Sequence, residues 1–164
     1  YRTAVRALPP VLADLEVTDR RRHVADMLAD AYERVGAVGG ANLDGGSAKA
    51  GCPDGGVTTK IKHAARLSLI ERLANGWPLD PRTGEVLKGP ERIAMRVQRR
   101  NGKLQHIKAF PLLVSVCVEG QSLASVLTAH GWRVHAENRK RLGAALLELL
   151  DEVAEGCARR AERR

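Results

Sequence analysis

The sequence predicts a mainly α fold, a small helical bundle whose C-terminal part is a helix-turn-helix-like tri-helical unit over residues 110–155. Three observations carry this. Leu142, Leu146, Leu149, Leu150 and Val153 fall at i, i+4, i+7, i+8 and i+11, the stripe of an amphipathic helix. Two short apolar stretches before it are each closed by a glycine, Gly120 and Gly131. Period-two alternation around Asn101-Gly102 adds at most a short basic β-hairpin.

Taken in order, Thr18-Asp19 starts a helix that runs to Val35, with Val24, Met27 or Leu28, Ala31 and Val35 near one face and Gly36 as its stop. Residues 36–56 hold eight of the sixteen glycines and few large apolar groups, and read as a flexible linker or long loop. The chain thus divides into an N-terminal helical segment (1–35), this linker, and a helical domain (57–164). The glycines do not form a phosphate loop, because no G-x-x-x-x-G-K-[ST] occurs and no strand precedes them.

Thr58 or Thr59 caps a second helix to about Asn75, with Ile61, Ala65, Leu69 and Leu73 as its apolar row and Ile70 alongside. Gly76–Pro90 is a surface loop with three prolines and three glycines. Ile93–Val97 and Leu104–His106 then flank Asn101-Gly102, as either a short basic β-hairpin or an irregular basic loop. Pro111 suits the first turn of a helix to Val118. Ser122 caps Leu123–His130, and a last helix runs from Ala136 to about Glu155.

The chain has 164 residues and 27 Lys+Arg against 19 Asp+Glu, a net charge of +8. The excess is not spread evenly. Residues 57–75 carry +3, 91–108 carry +5 and 132–147 carry +3, while the segments between them are near neutral. Three basic patches point to a surface that binds something, beyond what solubility needs. Five aromatic residues, Tyr1, Tyr32, Trp77, Phe110 and Trp132, are too few for the stacking platforms that single-stranded nucleic acids use, so duplex phosphate or an acidic protein partner fits better. No apolar run reaches membrane-spanning length and no signal peptide is visible. The start at Tyr1 reads as a trimmed or processed chain, and a reducing cytoplasm is the expected location.

The three cysteines, Cys52, Cys117 and Cys157, are far apart and suggest neither a disulfide framework nor a zinc site. His23, His63, His106, His130 and His135 form no H-x-x-x-H pair, so neither a metal nor another cofactor is expected. His63 beside Lys60 and Lys62 lacks a nameable orienting partner, and a nuclease or any other enzyme is not expected.

The candidate binding residues lie in two groups. Arg133, His135, Asn138, Arg139, Lys140 and Arg141, with Trp132 in the preceding turn, sit where a recognition helix would start. There the helix N-terminus and the bases would meet phosphate, and Asn138 would read an adenine edge. Alternatively they are a solvated first turn. Arg92, Arg96, Arg99, Arg100 and Lys103 would form a basic wing, or an edge hairpin kept soluble by charge. Bases at the start of the last helix and the acids Glu148, Asp151, Glu152 and Glu155 near its end oppose the helix dipole, which suggests constraint by a partner.

Val116-Cys117-Val118-Glu119-Gly120, Val126-Leu127-Thr128-Ala129-His130-Gly131-Trp132, Lys140-Arg141-Leu142, Ala145-Leu146 and Leu150-Asp151 together resemble the C-terminal domain of alphaproteobacterial phage-type regulators. These include the GafA-like transcriptional activators of gene transfer agents. The helix at Arg20–Val35 and the tract ending Asp54-Gly55-Gly56 fit the same family, and Ala129–Trp132 is its most specific part. The resemblance implies a regulator that acts at promoters on duplex DNA and contacts RNA polymerase, with the small omega subunit as the contact. It carries a role in the interaction surface onto Trp132 and Arg139–Arg141. A phage packaging adaptor, similar to a small terminase subunit, is the alternative of a different class.

Overall fold

A computed structural model describes residues 8–40, 55–98 and 102–163. The fold is mainly helical, with a two-stranded antiparallel ladder as its sheet. Six helices are described: α1 (Pro10–Ala13), α2 (Arg20–Gly40), α3 (Gly55–Asn75), α4 (Ala109–Leu113, continued by a π-helical turn over Val114–Val118), α5 (Leu123–Ala129) and α6 (Ala136–Glu162). The strands are β1 (Ile93–Met95) and β2 (Ile107–Lys108).

Helix α2 begins as expected. Asp19 Oδ1 accepts from the Arg21 backbone N–H at 2.8 Å, the hydrogen bond of an N-cap, and its other carboxylate oxygen takes the Arg21 guanidinium at 2.7 Å. Its core face is Val24, Leu28 and Ala31, so Leu28 rather than Met27 is the fully buried residue of that turn. Gly36 does not stop the helix, which continues to Gly40. A glycine inside a helix costs about 1 kcal/mol relative to alanine, and that weakens a helix without ending it. The linker expected at 36–56 is therefore helical at both ends, and residues 41–54, including Cys52, lie outside the described residues.

Helix α3 differs from expectation in the face it buries. Its inward row is His63, Leu67, Ile70 and Ala74, while Ile61 is 64% exposed and Ala65 is exposed. Two registers of apolar residues run along this helix one position apart, and its packing against α2 selects the row containing Ile70. Ile61 and Ala65 are left facing outward, while Leu69 and Leu73 of the same row are half-buried, Leu73 against the edge of the core. The helix also starts at Gly55, so Thr58 and Thr59 lie within its first two turns and are not its cap.

The loop from Gly76 to Pro90 is an ordered one. Trp77 is buried and its Nε1–H donates to the Pro90 carbonyl at 3.2 Å, while Leu79 and Val86 form a bridge across the loop. The ladder after it pairs Ile93 with Lys108 and Met95 with Ile107, with an irregularity between them. The predicted second strand at Leu104–His106 is not a strand. Among the described residues the chain pairs again only at Ile107, and 96–98 and 102–106 stay outside the ladder. His106 explains part of this, since its Nδ1 accepts from the Val97 N–H at 2.9 Å where a ladder carbonyl would otherwise do so. Arg99, Arg100 and Asn101 lie outside the described residues.

In the C-terminal unit, α4 widens into a π turn in which the Glu119 N–H bonds the Val114 carbonyl at 3.1 Å. Gly120 ends it with φ 68°, and the Gln121 N–H reaches back to the Ser115 carbonyl at 2.9 Å. Ser122 caps α5, its hydroxyl accepting from the Ser125 N–H at 3.2 Å. Helix α6 buries the whole predicted stripe, Leu142, Leu146, Leu149, Leu150 and Val153, but runs past Glu155 to Glu162 with Arg159 and Arg160 in its last turn. Glu148, Asp151, Glu152 and Glu155, expected near its end, are thus followed by two further turns. Asp151 pairs with Arg20 at 2.7 Å and Glu152 takes both terminal guanidinium nitrogens of Arg92, so they tie α2 and the residue entering β1 to α6.

One core joins these parts. Leu12, Val24, Ala25 and Leu28 from before the glycine-rich stretch share it with Ile70, Met95 and Ile107 and with the inward faces of α4, α5 and α6. The loss of one buried leucine from such a cluster costs about 2–5 kcal/mol. No helix among the described residues is long and apolar enough to cross a membrane.

Candidate functional site

The start of α6 and the turn before it are built on backbone contacts. Gly131 has φ 77°, and a Cβ there would stand 2.2 Å from the Lys103 carbonyl oxygen. Both facts call for glycine. The Gln105 N–H donates to the His130 carbonyl at 3.0 Å, and the Trp132 indole N–H donates to the Gln105 carbonyl at 2.9 Å. The basic loop and the α5–α6 turn are thereby fastened to each other, and Lys103 lies beside the base-rich start of α6.

The turn itself is closed by side chains that sequence reasoning had assigned otherwise. His135 is the N-cap of α6, its Nδ1 accepting from the Asn138 N–H at 3.3 Å. Asn138 is buried, and its Nδ2 donates to the Arg133 carbonyl at 2.9 Å. Asn138 therefore locks the turn from inside and is not presented to a base edge. His135 likewise uses one of the helix's free N–H groups that was expected to meet phosphate. His130 Nδ1–H donates to the Val126 carbonyl at 2.8 Å, closing the end of α5, which explains a histidine where an apolar residue was expected. The signal for Asn138 was present: the third helical position is where a side chain reaches back across an N-terminus.

Trp132 is half-buried, and its one donor is committed to Gln105, so it holds the loop as well as contributing surface. Arg92 leaves the candidate site altogether. Its guanidinium is bound by Glu152, which together with burial of part of its side chain makes it a clamp between β1 and α6; the Glu152 hydrogen bond holds its pKa above the ordinary arginine value. Its backbone N–H donates to Asn75 Oδ1 at 3.0 Å. Lys108 pairs with Glu91.

What remains is a set of exposed bases. Arg133, Arg139, Lys140 and Arg141 are exposed on the turn and the first two turns of α6, with Lys103 on the adjoining loop and Arg96 after β1. None of the six forms an ion pair among the described residues, whereas Arg20, Arg21, Arg34, Arg92, Lys108 and Arg159 all do. One acid, Glu137, lies in the same first turn, where it favours the helix dipole. Arg99 and Arg100 belong to the same loop but lie outside the described residues.

The arrangement is suited to binding extended anionic surfaces. It presents long side chains without ion-pair partners among the described residues, on a turn held by backbone contacts. Compared with known proteins, the chain matches no family model, no curated protein and no solved structure.

Proposed function

We propose that this chain is a non-enzymatic transcription regulator that docks on the phosphate backbone of duplex DNA through the surface formed by Lys103, Arg133, Arg139, Lys140 and Arg141. The observation that carries the reading is the grouping of unpaired bases at the start of α6, fixed by the contact of Gly131 with the Lys103 carbonyl. Arg20, Arg21, Arg34, Arg92 and Arg159 are each neutralised by an acid, and the bases grouped here are not.

With Asn138 turned inward, the surface favours positioning on the backbone over base reading. Sequence choice would then come from elsewhere in the regulatory assembly. Recruitment of RNA polymerase, by way of its omega subunit, is supported by the resemblance of Ala129–Trp132 and Arg139–Arg141 to the GafA-like activators, in which such a surface belongs to the transcription complex.

Fluorescence anisotropy with a labelled duplex over a series of salt concentrations tests the DNA part. Each phosphate neutralised contributes about −0.9 to the slope of log K against log salt. Replacing Arg139, Lys140 and Arg141 with alanine together is expected to make that slope shallower by about 2.7. An unchanged slope, or no binding at low salt, refutes docking at this surface. Polymerase subunits recovered with the tagged chain from its native extract, and lost with the triple variant, test the recruitment.

A further inference from the structure

The row of α3 that starts at Ile61 is not solvated like an ordinary helix face. Ala65 and Leu69 floor two adjoining depressions of about 630 and 470 Å³ between α3 and the last turns of α6. The larger is walled on its far side by Leu79 and Val86 of the ordered loop, and the smaller by Met27 of α2. Ile61, exposed, extends the same row by one more turn. From Ile61 to Leu73 the row spans about 18 Å, the length of a three-turn helix.

The rim is basic. Lys62 and Arg66 border it from α3, and Arg160 and Arg163 from α6. None of these four has an ion-pair partner among the described residues, and no Asp or Glu lines either depression. Gly156 allows this closeness of the helices, since a Cβ there would stand 2.6 Å from Leu73 Cδ2. An apolar floor under an uncompensated basic rim is complementary to one class of ligand, and we infer that the groove between α3 and the end of α6 docks an acidic amphipathic helix of a partner protein, with its large apolar residues on the Ala65–Leu69 row and its carboxylates against Lys62, Arg66, Arg160 and Arg163.

Other occupants fit less well. Duplex DNA has no apolar side chains to set on Ala65, Leu69 and Leu73, and among the described residues no aromatic ring lines the groove on which an unpaired base would stack. A second copy would bring the same positive face against this one, and the acids Asp151, Glu152 and Glu155 of α6 are already held by Arg20, Arg92 and Arg159. Recognition by an apolar row at i, i+4 and i+7, steered by opposite charge, is a common way for a groove to hold a helix. The groove lies near the far end of α6 from Arg139–Arg141, about 30 Å away along the helix, so it does not depend on the DNA surface.

The test uses the full chain, labelled with 15N, and a synthetic 15-residue helical peptide with leucine at i, i+4, i+7 and i+11 and glutamate at most other positions. Two controls replace its glutamates with glutamine or its leucines with serine. The amides of Ala65, Leu69, Gly156 and Ala161 are expected to shift with the acidic leucine peptide. Both controls, and the Arg66→Gln/Arg160→Gln variant, are expected to bind at least tenfold more weakly. Duplex DNA is expected to shift the amides of Lys103 and Arg139–Arg141 instead, so failure of the groove and failure of the DNA surface are read on different residues. No shift in the groove, equal binding of either control, a DNA-induced shift centred on the groove, or groove shifts on dilution of the protein alone would each overturn the inference.

Discussion

Gly131 shows how much can depend on one missing side chain. Its positive φ and the Lys103 oxygen, 2.2 Å from where a Cβ would be, act on the same atom from two directions. Gly131→Ala is expected to lower stability by about 3 kcal/mol in urea unfolding, the sum of backbone strain and overpacking. Gly36→Ala, in a helix with nothing near its Cβ, is expected to stabilise by up to about 1 kcal/mol. The cysteines separate in a similar way. Burial pushes the Cys117 thiol up to about 12, so at pH 8 it stays protonated and unreactive. Cys157 is half-buried beside the basic groove, and burial raises its pKa as well. Iodoacetamide is expected to label Cys157 in the native protein and Cys117 only after denaturation, as read by mass spectrometry.

At the scale of elements, α2 and α3 make contrasting cases. The start of α2 was legible because Asp19 followed by a helical period is an N-cap by its chemistry alone. The Arg21 side-chain and backbone hydrogen bonds hold the Asp19 carboxyl at about 2, below its ordinary value of 3.8. A depressed carboxylate adds stability above its unfolded pKa and loses it as pH falls through the folded one. The start of α2 is therefore expected to loosen between about pH 4 and pH 2, with the Asp19 carboxyl titrating near 2 by NMR. Helix α3 was legible as a helix but not in its facing. Ile61-Ala65-Leu69-Leu73 and Leu67-Ile70-Ala74 are both plausible core rows in one dimension, and only the position of α2 decides between them. Ile70→Ala is expected to cost about 2–5 kcal/mol and Ile61→Ala under 0.5 kcal/mol, measured by the same unfolding assay. The reverse order would mean that the row starting at Ile61 is the buried one.

For the molecule as a whole, the mainly helical class, the capped α5 and the stripe of α6 followed from periodicity and caps, which are local. The candidate site was legible as a density of positive charge and not as a set of contacts. Arg92 and Arg139 look alike in sequence, and differ because a carboxylate sixty residues away reaches one of them. Asn138 and His135 differ from expectation for a related reason: their partners are backbone groups of the turn, which a side-chain inventory does not count. Because Arg139, Lys140 and Arg141 are exposed and unpaired, replacing all three with alanine is expected to leave the thermal midpoint within about 2 °C, as ordinary surface substitutions do. A larger fall would mean that these side chains hold the fold together as well.

The bond from the Trp132 indole to the Gln105 carbonyl also makes the turn optically distinct. The chain has two tryptophans, and the other, Trp77, is buried against the loop that walls the groove. Each surface thus has its own fluorophore. Trp77→Phe would leave emission that reports on the junction of loop and turn alone, and Trp132→Phe emission that reports on the groove wall. Occupancy at either end could then be followed in real time, by colour and quenching, without attaching a dye.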